Sequence, residues 1–477
     1  MKNRRLPCFL FLIYLSAFSP SLLLSQNLKM LGVRVWESEK KQFGEVSDLE
    51  VIGGKIRSIT PKTTNSREPI RYILPGFCDA SVTIGANSFG GETGREILPQ
   101  LLLGFLATGF SHVESVGDGD LTKVKDEILK SKIIGPFILQ SQKPWVYEAN
   151  FRENSPSKDQ YFALGLESKS LEAGEGKKDR SRHQPIFLKK AEGQSFPQTT
   201  LFQWKSKWDK QGYTPIAYTF ADRLAWEDAL DTGFPVIFHP MPANANLSQV
   251  QTRQFLWAPL LNVSYFLSLK NDPKSLTVRL QQIGDHFPYF KEKFLSNFTE
   301  GLPDNVDSEK SNLAKSEFYS LWEIFRREHR KERLLFASGS GHWGSFPGVG
   351  AIQEISLWEA SWKTLAKEEE SLAEEETLPW WKRIFSRPEF SEIRKPERDP
   401  ETLPVERKEL VQILTEKTCG FIGADHEGKI SVGKPAHFSV FKENPLKKPL
   451  GIFAIESMVL GGKLVYTPKP EKVGKKP

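Results

Sequence analysis

The stretch Ile73-Leu74-Pro75-Gly76-Phe77-Cys78-Asp79-Ala80-Ser81-Val82-Thr83-Ile84 decides how this chain is read. It predicts a short apolar strand that runs into a Pro-Gly turn and then into a small polar segment. Downstream of it, apolar runs alternate with helical patterns. Candidate strands fall at Ile73–Cys78, Ser111–Val116, Ile133–Leu139, Pro185–Lys189, Thr214–Tyr218, Pro235–His239, Pro259–Val263 and Leu334–Ser338. Helical patterns include Ile97–Thr108, Ala221–Thr232 and Val349–Leu365. Eight strands alternating with helices predict an α/β fold of the (β/α)8 barrel type over residues 73–427.

The two ends of the chain carry a different pattern. Val46, Leu49, Val51 and Ile52 lead into Gly53-Gly54-Lys55. Near the C-terminus Ile455, Met458, Val459 and Leu460 lead into Gly461-Gly462-Lys463. A Gly-Gly pair between apolar strands is a tight hairpin signal. Each end is too short to enclose a core alone. Residues 26–72 and 428–467 are therefore expected to pair into one small β-sandwich domain.

These segments resemble the amidohydrolase superfamily, and within it the imidazolonepropionase-like branch. The central stretch matches that family's opening strand, "apolar, Pro-Gly, apolar-apolar-Asp, small, His, apolar, His". Gly54-Lys55-Ile56-Arg57-Ser58-Ile59 is similar to its early strand. Val432-Gly433-Lys434-Pro435-Ala436-His437-Phe438 is similar to its late turn, with His437 where an aspartate usually stands. Gly104-Phe105-Leu106-Ala107-Thr108-Gly109-Phe110-Ser111-His112-Val113 resembles its first helix-to-strand passage. The resemblance implies a barrel beside a β-sandwich built from both ends, with chemistry at the C-terminal ends of the strands.

It also implies a metal site, and here the residues depart from the family. The family binds divalent ions through two histidines after the first strand, a lysine or glutamate at the fourth, histidines at the fifth and sixth, and an aspartate at the eighth. A bound ion lowers the pKa of its water, and the aspartate takes the proton. In this chain Ser81 and Thr83 replace both first-strand histidines, and Tyr218 stands at the fifth strand. Lys189 and His239 keep their positions. The aspartate position falls on Gly341, or on Ser340 if the register slips, and His342 follows. Neutral hydroxyls are poor ligands for zinc-like ions, so no cofactor is expected. The alternative is one divalent metal such as zinc, held around His239, Lys189 and His342.

Three functions follow as expectations. The first is an amidohydrolase-type protein that has lost its metal and serves as a non-catalytic binding or scaffold module. The second is a hydrolase of non-peptide C–N bonds, cyclic amides for example, with an atypical site. The third is a surface role carried by two segments that read as inserts, near residues 290–332 and 366–408. The second of these runs from acidic blocks into Pro379-Trp380-Trp381-Lys382-Arg383.

Composition bounds the rest. The 477 residues are 39% hydrophobic and 26% charged, with a net charge of +6 spread among interleaved acids and bases. That is a folded chain with no nucleic-acid footprint, and its partner is expected to be a small molecule of unknown identity. Lys2, Arg4 and Arg5 precede an apolar run from Leu6 to Phe18, broken at Pro20, with Ser25 beyond. This predicts a signal peptide over residues 1–25, no stable membrane span after cleavage, and an exported protein, periplasmic or extracellular. Of the three cysteines, Cys8 lies in the leader. Cys78 and Cys419 are too few for a disulfide framework and lack metal-ligand spacing, so Cys78 is expected to be a buried small apolar side chain. The Pro/Lys-rich residues 468–477 read as a disordered tail.

Overall fold

The structure, a computed structural model, describes residues 27–62, 69–84, 98–118, 120–142, 144–148, 181–189, 198–242, 245, 247–269, 272, 276–277, 308–341, 345–360, 405–424 and 427–468. The segment read as a leader, residues 469–477 of the expected tail, Trp380, Trp381 and His342 lie outside the described residues.

The decisive stretch forms two strands where the sequence predicted one. Strand β4 (Arg71–Pro75) belongs to the sheet of the small domain, and β5 (Phe77–Val82) opens the barrel. Gly76 is the pivot between them. A Cβ there would stand 2.4 Å from Ser111 Oγ, so only glycine lets the chain cross so close to the neighbouring barrel strand. The N–H of Gly76 donates to His437 O at 3.0 Å, and that of Phe77 to Gly109 O at 2.9 Å.

The small domain is one seven-stranded sheet in the order β15-β14-β13-β4-β1-β2-β3. Its strands β1 (Leu28–Glu37), β2 (Gln42–Ile52), β3 (Lys55–Pro61) and β4 come from the N-terminal side. β13 (Phe438–Phe441), β14 (Ser457–Leu460) and β15 (Lys463–Tyr466) come from the C-terminal side. The two ends meet where β13 pairs with β4, Val440 opposite Ile73. The sheet curls around Val33, Leu49, Val51, Ile56, Ile73, Phe438 and Val459. Its two Gly-Gly hairpins touch. A Cβ on Gly54, at φ +77°, would lie 2.9 Å from Gly461 O.

The barrel strands are β5, β6 (Phe110–Ser115), β7 (Phe137–Gln140), β9 (His183–Lys189), β10 (Thr214–Tyr218), β11 (Val236–Phe238) and β12 (Leu256–Ala258), all parallel to their neighbours where they pair. β8 (Trp145–Glu148) runs on from β7 and pairs with the end of β9. Two sets of hydrogen bonds join the arcs into a ring. Ser181 N donates to Gln140 O at 2.7 Å and Gln142 N to His183 O at 2.9 Å, linking β7 to β9. On the other side the segment 334–340 takes the eighth place. Its Leu335 N donates to Trp257 O at 2.9 Å, and Ala80 N and Thr83 N donate to Phe336 O and Ser340 O at 3.1 and 2.7 Å. This segment makes only isolated bridges, because its glycines, Gly339 and Gly341, take positive φ and break the strand.

Other sequence expectations need correcting. The seventh strand lies at β12 and not at Pro259–Val263, which opens helix α6 (Leu261–Ser268) after Leu260 at φ 49°. A short buried apolar run fits either element, and here Leu261, Val263 and Phe266 are a helix face. The third strand starts only at Phe137, since Pro136 cannot donate to a ladder and Ile134 is exposed. In the segment that read as an insert at 290–332, the described helix α7 (Ser308–Glu328) buries Phe318, Trp322 and Phe325 in the main core, and Trp322 Nε1 donates to Leu357 O at 3.0 Å. It is part of the barrel wall. The 366–408 segment lies almost wholly outside the described residues.

Cys78 is not a free buried thiol. It is disulfide-bonded to Cys419, with Cα atoms 5.2 Å apart. Cys419 lies in α10 (Thr418–Phe421), the last turn of a helical run that begins with α9 (Arg407–Gln412) and passes through a π-turn at Ile413–Lys417. Two cysteines 341 residues apart give no spacing signal. Only the closed barrel brings them together.

Candidate functional site

The C-terminal ends of the barrel strands carry the residues singled out from the sequence, and most of them meet. Ser81, near the end of β5, and Tyr218, the last residue of β10, are both buried, and their hydroxyl oxygens lie 3.0 Å apart in a hydrogen bond. The Tyr218 ring centroid is 5.7 Å from that of His239, which follows β11 and is 2% exposed. The Thr83 backbone bonds Ser340, and Gly341 packs on Thr83 so closely that a Cβ would stand 2.3 Å from Thr83 O. No carboxylate side chain fits at Gly341 without moving the end of β5. Lys189 ends β9, opposite Glu148 of β8. The side chain of Lys189 and the whole of His342 lie outside the description.

The hydroxyls at the first-strand positions are engaged with protein. Ser81 has Tyr218 as its partner. Thr83 Oγ1 donates to Val116 O at 2.9 Å. Ser340 Oγ lies 2.7 Å from Ser338 Oγ and donates to Phe346 O at 3.3 Å. Among the described residues no three of His, Cys, Asp or Glu converge as a metal-holding group. Among the described residues, the donors at these positions do not match the divalent ion that the sequence resemblance implies: neutral hydroxyls, a phenol and one imidazole do not hold such an ion against water.

Aromatic rings fill the space instead. Phe187 lies 4.7 Å and Phe238 4.9 Å from the Tyr218 ring. Phe220 lies 4.6 Å from His239 and 5.7 Å from Phe187. Sequence reading missed Phe187 and Phe220. Their signal is an inward place on a strand and the strand-end loop, which periodicity alone does not separate from ordinary core. Burial pushes the Tyr218 hydroxyl well above its usual range; the bond from Ser81 offsets part of this, and Glu114 and Asp79 add to the rise.

Behind this layer sits a polar network. Asp79 Oδ1 accepts from Ser81 N at 3.2 Å and from Ser338 N at 2.9 Å, while Oδ2 has no hydrogen-bond partner among the described residues. Desolvation pushes its carboxyl up to about 7, against the pull of the Ser338 and Ser81 bonds. Asn262 Nδ2 donates to Ser338 O at 2.6 Å, and Asn262 N donates to Glu354 Oε2 at 2.7 Å. Glu354, wholly buried on α8 (Val349–Glu359), is likewise pushed up to about 7 by burial. Glu354 escaped sequence reading because it stands in a helix that buries nearly every face.

Three further histidines, His183, His112 and His437, have defined places. His183 Nδ1 lies 2.7 and 2.9 Å from the two oxygens of buried Glu114, which also accepts from Ser181 Oγ. The His183 ring stacks on Phe421 at 4.2 Å. His112 and His437 face each other at 5.5 Å between barrel and small domain, and burial lowers them to about 3 and about 4.

No sequence-family model matches the chain, and no curated protein matches it. Solved structures do. A Xaa-Pro dipeptidase with methionine bound in its active site is 15% identical, with a TM-score of 0.59 over 93% of this chain and 100% of that one. An amidohydrolase is 14% identical, with a TM-score of 0.57 over 94% and 100%. The A. niger ochratoxinase is 12% identical, with a TM-score of 0.56 over 93% and 96%. At such identities the likeness shows the fold alone: a (β/α)8 barrel with a β-sandwich domain.

Proposed function

We propose that this chain, whose fold is that of amidohydrolases, is an exported non-catalytic member that uses the barrel mouth to bind a small molecule. One observation carries the reading. The Ser81–Tyr218 hydrogen bond joins two buried hydroxyls at positions where the fold's relatives are expected to hold an ion. One hydroxyl donates to the other, so the two walls meet without a charge between them. The Cys78–Cys419 bond supports maturation in an oxidising compartment, in line with the leader at residues 1–25.

Elemental analysis of protein purified without chelator tests this. The expected result is no stoichiometric zinc, manganese or iron, together with no hydrolysis of dipeptides or cyclic amides when those ions are added. About one equivalent of metal per chain, lost with His239→Ala and accompanied by metal-dependent turnover, would replace this reading with a hydrolase whose site is centred on His239 and Lys189.

A further inference from the structure

The loop after β10 is bent in an unusual way. Asp222 N donates to Thr219 O at 2.9 Å, closing a four-residue turn. Both central residues, Phe220 and Ala221, have positive φ, 52° and 59°. That is the pattern of a type I′ turn, which Asn-Gly suits and which costs free energy with a bulky side chain. The next two strand ends are bent likewise, His239 at φ 88° and Leu260 at φ 49°. Of the seven non-glycine residues with positive φ among those described, four therefore lie on one rim of the barrel. Left-handed strain of this kind gathers at binding sites, where the surroundings impose it.

The turn places the half-buried Phe220 ring over His239 and Phe187. Beneath them Ser81 and Tyr218 share one hydrogen bond. Two hydroxyls bring two hydrogens and use only one between them. The second hydrogen is buried and has no acceptor among the described residues, a cost that a ligand oxygen would remove.

Resting on the binding role proposed above, we infer that Phe220 is a displaceable closing ring, and that the ligand is an uncharged planar ring bearing a hydroxyl or carbonyl oxygen. The ligand ring stacks on Phe187 and His239 in the place of Phe220, and its oxygen accepts from the Ser81–Tyr218 pair. Asp79 and Glu114 also act electrostatically on the Tyr218 hydroxyl, in the direction that holds its proton, and negative charge there disfavours an anionic ring. Displacing Phe220 also lets the strained turn relax, so closure is held only by ring contacts and opens readily.

Phenol, benzoate and benzylammonium are the probes, titrated by ligand-observed NMR against the full mature chain. Phenol is expected to bind, and Phe220→Gly to bind it about tenfold tighter. Glycine accepts the left-handed turn, and removing the competing ring abolishes a closed state populated at roughly nine parts in ten. Ala221→Gly keeps the ring and eases the turn. It is expected to raise the melting temperature and weaken phenol by a few fold, because it favours the closed form. Phenol binding equally to wild type and Phe220→Gly overturns the inference, as does either charged ring binding as tightly as phenol. Failure here with no metal in the protein sinks the closing ring alone. Stoichiometric metal in the wild type sinks the reading on which it rests.

Discussion

Asp79 stands behind Ser81 with one carboxylate oxygen accepting two N–H groups and the other without a partner among the described residues. Glu354 lies in the same buried network. Both carboxyls have folded pKa values raised to about 7, against roughly 4 in an unfolded chain. A carboxyl raised in this way holds its proton better folded than unfolded. The stability it lends is therefore complete below about pH 4 and is lost as the pH rises toward 7. His112 and His437 act in the opposite sense. Their lowered values keep them neutral when folded, so their contribution is lost as pH falls from about 6.5 through their folded values near 3 and 4. Wild-type melting temperatures mix the two effects, but a difference isolates one. Asp79→Asn is expected to gain on wild type between pH 5 and 7 in thermal melts and to level off above that. A constant offset across that range would contradict the burial argument. The sequence showed an aspartate inside an apolar frame; it could not show that one oxygen would be left unpartnered.

At the scale of elements, the Cys78–Cys419 bond ties the strand bearing Asp79 and Ser81 to the helix that carries Phe421 against His183. Phe336 N also donates to Thr418 Oγ1 at 3.0 Å, which anchors the same helix to the eighth strand position. The closing helix thus holds two of the three strand positions on which the site hydroxyls sit. Cys419→Ser is expected to cost about 2–5 kcal/mol in denaturant unfolding. Thiol titration of the unreduced, unfolded protein is expected to find neither Cys78 nor Cys419 free. Free thiols at both positions in protein from an oxidising host would remove the staple. The fifth and sixth strands were legible nearly to the residue, because each is a short apolar run followed by a turn. The seventh was misplaced because a buried apolar run does not say whether it is strand or helix.

For the whole molecule, the two chain ends depend on each other. β4 sits between β1 and β13, so the N-terminal strands lack one side of their sheet without the C-terminal ones. Ending the chain at residue 427 would expose Ile73, Leu74 and Val35, all buried now, along with the edge of β4. Such an edge pairs with other chains. The truncated protein is expected to aggregate or melt well below the full chain, as read by size-exclusion chromatography and thermal unfolding. A monomer with an unchanged melting temperature would show the small domain to be dispensable.

The chain by itself determined the alternation of strands and helices, the paired β-rich ends, and the hydroxyls, phenol and glycine that stand where the family resemblance expects ion ligands. Those are properties of local pattern and residue chemistry, which a linear text carries. Tertiary structure alone decided that Ser81 meets Tyr218, that Gly341 leaves no room for a side chain, that Cys78 reaches Cys419, and that Phe220 lies over His239. Each of these joins residues distant in sequence or depends on backbone turns at strand ends. Only closing the ring of strands sets such distances.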